Sequence, residues 1–255
     1  MKAREEIRAL ANKEIAQHSL RFFKTDKGEY GHGDLFLGVR APQIRSIAKE
    51  HIDISTTDMK TLICSKYHEE RFLGLIILVK KYAKSKDKKD IKKLYDIYVS
   101  SFKHINNWNL VDVTCPHIIG KHLMDKDRKI LYKWARSDDL WTRRIAMIST
   151  FWFIRRNDLE DTFKIAEKLL HDEHDLIHKA VGWMLREAGK RDLKREETFL
   201  KKHYKTMPRT MLRYAIEKFP ETKRQKYPRE QSKFILKHLP ACATTGTSST
   251  GAACY

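Results

Sequence analysis

Asp139-Leu140-Trp141-Thr142-Arg143-Arg144-Ile145-Ala146 aligns with Asp175-Leu176-Ile177-His178-Lys179-Ala180-Val181-Gly182 at an offset of 36 residues. A step of the same size back from Arg144 reaches Trp108. A further step of about that size falls near Arg71, in Glu69-Glu70-Arg71-Phe72-Leu73. Helix pairs of this length in series match HEAT-like units, which stack into a curved superhelix with one concave surface.

The surrounding chain agrees with that reading. Apolar residues recur at three- and four-residue spacing from Ile7 to Phe219, and alternating runs bounded by hairpin signals are missing, so the fold class is all-α. Short polar breaks leave helices expected near 3–23, 42–51, 57–64, 67–84, 88–102, 108–123, 127–136, 139–155, 159–171, 174–190, 194–205 and 208–219. Short breaks imply antiparallel neighbours. Residues 1–227 are expected to form a single HEAT-like domain and 228–255 a C-terminal tail. The uncharged run of Ala, Thr, Ser, Gly and Cys from Ala241 to Tyr255 reads as disordered.

Composition narrows the partners. Hydrophobic residues make up 41% and charged residues 33% of 255, a balance that suits a globular chain. The longest apolar stretch, Phe72 to Val79, is too short to span a bilayer, and Met1 to Ala11 lacks a signal-peptide core. Cys64 and Cys115 read as reduced core residues of a cytoplasmic protein, and no histidines or cysteines sit at zinc spacing, so neither metal nor cofactor is expected. Fifty-two Lys and Arg against 33 Asp and Glu leave a net charge of +19, which points to a nucleic acid as counter-charge; a generic basic surface is the alternative that charge alone leaves open. The lysine run Lys86 to Lys93 reads as a solvated face.

Under the 36-residue offset, Trp108, Arg144 and Ala180 occupy equivalent places. Asp112, four residues after Trp108, and Trp183, three after Ala180, then lie one turn further along the same face. Trp134, Trp141 and Trp152 read as packing residues. Asp112 lies between Val111 and Val113 in an apolar helix. It is open to two readings, a structural partner of Arg143 or Arg144, or a functional carboxylate.

Four segments carry a resemblance. Leu35-Phe36-Leu37-Gly38-Val39-Arg40-Ala41-Pro42-Gln43-Ile44-Arg45, Asn107-Trp108-Asn109-Leu110-Val111-Asp112, Trp141-Thr142-Arg143-Arg144-Ile145-Ala146 and His178-Lys179-Ala180-Val181-Gly182-Trp183-Met184-Leu185-Arg186-Glu187 resemble the AlkD type of DNA alkylation repair glycosylase, in order and spacing, over roughly residues 1–219. The resemblance implies a monomer acting on double-stranded DNA with alkylated bases. It implies a catalytic cleft of Trp108, Asp112 and Trp183, with Arg144, Arg143, Arg40 and Lys179 contacting DNA on a concave basic face. It also implies excision without full extrusion of the base.

The chemistry suits these residue types. Alkylation at N3 or N7 makes a purine cationic, so the base leaves without a general acid. What remains is to stabilise an oxocarbenium-like sugar and present water, both within reach of a carboxylate such as Asp112. Indole faces attract cations, which suits Trp108 and Trp183 as flanks of the lesion. The alternatives are a non-catalytic relative binding distorted or branched DNA, and a protein-interaction scaffold.

Overall fold

A computed structural model describes residues 1–227; the expected tail over 228–255 lies outside the described residues. The chain opens with α1 (Lys2–Ala9), α2 (Lys13–Phe22) and α3 (Ala41–Glu50). Next come α4 (Thr56–Ile63), α5 (His68–Lys84), α6 (Lys88–Ser100), α7 (Trp108–Asp112) and α8 (Lys121–Leu123). The second half holds α9 (Lys129–Trp134), α10 (Leu140–Ser149), α11 (Phe151–Ile154), α12 (Glu160–Lys168), α13 (Asp175–Gly189), α14 (Leu193–His203), α15 (Arg209–Ala215) and α16 (Glu221–Arg224). Among the described residues there is no strand, only one isolated bridge between Leu35 and Tyr67.

Helices α5, α7, α10, α13 and α15 pack one after another as an inner row, with α4, α6, α9, α12 and α14 as their partners behind. A shared hydrogen bond marks the repeat. The fourth residue of α5, α10 and α13, respectively Arg71, Arg143 and His178, donates to the carbonyl six residues earlier, on Ser65, Ser137 and Asp172. Side-chain caps start many of the helices. Asp139 accepts from the Thr142 amide at 2.7 Å and Asp87 from the amides of Lys89 and Asp90, interactions worth about 1 kcal/mol each. Core residues such as Ile77, Leu110, Ile145 and Val181, all with no exposed surface, fill the space between the rows.

Three expectations need correction. The helix expected over 3–23 is broken at Leu10 to Asn12, because Asn12 turns its side chain to cap the Ile15 amide and donates its own amide to the Leu37 carbonyl. Cys64 is exposed at the end of α4, whereas Cys115 is buried as expected. The repeat is uneven: the inner helices begin at His68, Trp108, Leu140 and Asp175, spacings of 40, 32 and 35. Arg144, the fifth residue of α10, is therefore equivalent to Asp112, the fifth of α7, and not to Trp108.

The helix bearing Asp112 ends there for a local reason. Pro116 has no amide hydrogen to donate to the Asp112 carbonyl, and the chain passes into a π-helical turn, Pro116–Gly120, before α8. Gly120 makes this possible on the packing side, since a Cβ there would stand 2.4 Å from the Ser149 carbonyl oxygen.

Candidate active site

Asp112 closes α7 with its carboxylate turned onto α10. Arg144 donates from Nε to Oδ1 and from Nη2 to Oδ2, both at 2.8 Å, and from Nη1 to the Leu176 carbonyl on α13. One guanidinium thus ties three successive inner helices together. The side chains are 6% exposed for Arg144 and 12% for Asp112, so the pair is nearly dry, yet the carboxylate keeps an open edge. Of the two partners open to Asp112 in sequence, Arg144 is the one used.

Arg143, adjacent in sequence, points elsewhere. It donates to Asp172 at 2.7 Å and to the carbonyls of Ser137 and Asp138 at 2.9 Å, stapling the two loops that precede α10 and α13. Lys179 is partly exposed and pairs with Asp175 one turn earlier at 2.6 Å. Arg40 is exposed at the start of α3, on a loop held by the buried Glu69 carboxylate, which accepts from the amides of Leu37 and Gly38 at 2.9 and 2.8 Å.

Trp108 opens α7 one turn before Asp112 and is half-buried among aromatic rings. Phe22 and Phe23, at the end of α2, lie with ring centroids 5.9 and 5.7 Å from it. Trp183 sits one turn beyond Lys179 on α13, its ring 5.8 Å from Phe151. Gly182 beside it lets α13 approach α15 closely. Trp141 and Trp134 pack against neighbouring rings as expected, Tyr30 for the first and Phe102 for the second.

The loop between α2 and α3 carries what sequence reasoning missed. It brings Tyr30 over the inner row, 5.9 Å from Trp141 and with its hydroxyl in hydrogen-bonding reach of the Trp108 indole. Burial pushes the Tyr30 phenol up from its ordinary value, against the opposing influence of the Trp108 hydrogen bond and the positive charges of Lys179 and Arg144. Tyr30, Trp108, Asp112, Arg144 and Lys179 therefore share one neighbourhood. Phe22, at 55% exposed, is an unusual position for a large aromatic and extends that neighbourhood outward. The signals for these residues were a double phenylalanine at a helix end and a tyrosine among Gly28, Gly31 and Gly33.

A buried polar knot supports the far side of Trp108. His68 forms a three-ring cluster with Phe36 and Phe23, their centroids 4.8 and 4.9 Å from its own, with its Nδ1 3.4 Å from Asp34 and its Nε2 2.9 Å from the side-chain nitrogen of Asn109. Arg71 and Asn106 both donate to Asp34, at 2.7 and 2.9 Å. Burial pushes His68 below its ordinary value, keeping the ring neutral, while its hydrogen bond to Asp34 opposes that. Among the described residues no group of three or more His, Cys, Asp or Glu could hold a metal ion, and no helix is long and apolar enough to cross a membrane.

Comparison with known proteins places this geometry in context. A family model described as DNA alkylation repair enzyme matches residues 3–219. No curated protein matches the chain significantly. A solved structure described as a predicted DNA alkylation repair enzyme from Enterococcus faecalis is similar in fold, with a TM-score of 0.65 and 16% identity over 83% of this chain and 97% of that one. The crystal structure of smu.31 from Streptococcus mutans UA159 aligns with 19% identity over 80% of this chain and 89% of that one, at a TM-score of 0.44.

Proposed function

The chain belongs to the DNA alkylation repair enzyme family, and from that premise we propose that it is a glycosylase hydrolysing the N-glycosidic bond of cationic alkylated purines, such as 3-methyladenine and 7-methylguanine, in duplex DNA. The observation that carries this reading is the Asp112 carboxylate, fixed by two hydrogen bonds from Arg144 one turn from a half-buried Trp108.

The geometry supports a division of labour. In the reaction, water oxygen bonds to the sugar C1′ as the bond from C1′ to the base breaks. The bonding pair passes to the base and cancels its positive charge, which is why no acid is required. Asp112 faces the positive charge that develops on the sugar and accepts a hydrogen bond from the attacking water, whose proton then passes to solvent. Arg144 is a positioning residue in this reading, because its donors face Asp112 and Leu176 and little of it reaches the surface. Trp108, Tyr30 and Trp183 offer aromatic surface to the lesion nucleotide, whose cationic ring favours such contact. Lys179 and Arg40 are the exposed cations of the proposed duplex contact, and Arg143 shapes the loops beside it.

The test is single-turnover incubation with a duplex carrying one 7-methylguanine, with free base measured. Wild type is expected to release it. Asp112→Asn is expected to bind the duplex but release at most a hundredth as fast, because the amide keeps the shape without the charge. Equal rates would remove Asp112 from the chemistry. Tight binding of a branched duplex with no release by wild type would favour a non-catalytic relative.

A further inference from the structure

Lys88, Lys89, Lys92 and Lys93 read in sequence as a solvated face, but the fold gives them company. By helical geometry the four share one face of α6, with Asp90 to the side of it. Together with Lys60 from α4 they line a shallow depression of about 640 Å³. The one carboxylate lining it, Asp96, already pairs with Lys92 at 2.6 Å. Lys60 also lines the adjoining depression with Lys66, Arg4 and Arg8; the two arginines share the buried Glu70 carboxylate, at 3.1 and 2.6 Å, so two cations there are offset by one anion and a net positive charge continues across α1 and α4.

This surface lies on the partner row of helices, behind the inner row that carries Trp108 and Asp112. Of the four lysines of α6, Lys92 is paired with Asp96, which leaves Lys88, Lys89 and Lys93 of that face, with Lys60 beside them, as the charges the depression presents. Like charges held this close are unfavourable until a polyanion neutralises them. The exposed large apolar residues, Leu10, Leu20, Phe22, Leu35 and Leu193, all lie elsewhere, so the patch has nothing to insert into a lipid surface. Lysines at i and i+4 stand about 6 Å apart on a helix, a spacing suited to a run of phosphates.

We propose that the α4 and α6 lysine surface is a second duplex-binding site, which holds a DNA segment through its backbone while the inner row engages another. Such a site is independent of sequence and lesion. It goes beyond the proposed excision; it rests on the inner row binding a duplex, as proposed above, but not on base release.

The test is sedimentation of the full chain with an excess of short undamaged duplex at low salt, counting duplexes per chain. Wild type is expected to carry two. The variant with Lys88→Gln, Lys89→Gln, Lys92→Gln and Lys93→Gln is expected to carry one, with the first duplex held within threefold of wild-type affinity, which also shows that the variant folds. The weaker binding step should lose affinity with salt at a log–log slope of about 0.9 per lysine engaged. One duplex per wild-type chain, or two on the variant, would overturn the proposal. So would a patch that binds vesicles of anionic phosphatidylglycerol while carrying no second duplex. Loss of base release alone would leave the count of duplexes unchanged, whereas one duplex on wild type and none on the variant would locate the failure in the inner-row contact, so the two failures are distinguishable.

Discussion

Arg144 and Asp112 form a bidentate pair between α10 and α7, Nε to Oδ1 and Nη2 to Oδ2, with both bonds at 2.8 Å. A fork of this kind fixes the plane of the carboxylate as well as its place, which a lysine cannot do. Arg144→Lys should therefore keep the local charge but slow base release at least tenfold, with duplex affinity little changed. Arg144→Ala leaves the carboxylate without its partner and should cost about 3–5 kcal/mol of stability. Single-turnover rates and urea unfolding of both variants check this; an Arg144→Lys enzyme with wild-type rates would show that orientation of Asp112 is irrelevant.

Lesion choice should follow leaving-group charge. If the charge already on the base drives its departure, with Tyr30 and Lys179 giving it no proton, 3-methyladenine and 7-methylguanine should be released and hypoxanthine or uracil retained. Trp108→Ala and Trp183→Ala should each reduce release more than binding, since aromatic faces favour the cation by about 0.5–2 kcal/mol whereas the duplex is held mainly through phosphates. A panel of single-lesion duplexes decides it, and efficient release of a neutral base would require a general acid in the site.

Glu196 makes stability depend on pH. It is 2% exposed, its Oε1 has no partner, and burial pushes its carboxyl up to about 8 from an ordinary 4.5. Below pH 4.5 the group is protonated whether the chain is folded or not, and the fold pays nothing for it. As pH rises from 4.5 toward 8 the unfolded chain ionises first, and each pH unit of that interval removes about 1.4 kcal/mol of stability. Glu196→Gln should thus stabilise the protein by several kcal/mol at pH 9 and scarcely at pH 4.5. Unfolding curves with the same difference at both values would refute the assignment.

Gly182 sits where α13 meets α15. A Cβ there would stand 2.4 Å from the Met211 carbonyl oxygen and 2.5 Å from the Tyr214 Cβ. Gly182→Ala should cost about 1–3 kcal/mol by forcing the helices apart, despite the better helix propensity of alanine. Thermal unfolding measures it. Because Trp183 is the next residue, base release should fall as well.

The helices were legible because periodicity survives wherever one face is buried: α5, α13 and α14 fall within a residue or two of expectation. Asn12 looks in sequence like any polar helix residue, so its capping role stayed hidden. The 36-residue offset read between α10 and α13, whose starts lie 35 apart, was carried back over a spacing of only 32 to α7, which misassigned the equivalent of Arg144 by one helical turn. Neighbouring residues on a helix point about 100° apart. Sequence could not say which of Arg143 and Arg144 would reach Asp112 and which Asp172. Tyr30 left no periodic trace at all, because a glycine-rich loop has none.

Tyr30 reaching Trp141 has a consequence for how such a protein can change over time. Solenoids usually communicate only between adjacent units, so units are gained or lost without disturbing the rest. Here a loop near the start of the chain touches α10, past α5 and α7. Adding or deleting one helix pair in that interval would carry the phenol out of reach of Trp141. The contact thus fixes the number of units between them, and a fold built for lengthening is held at one length over this stretch.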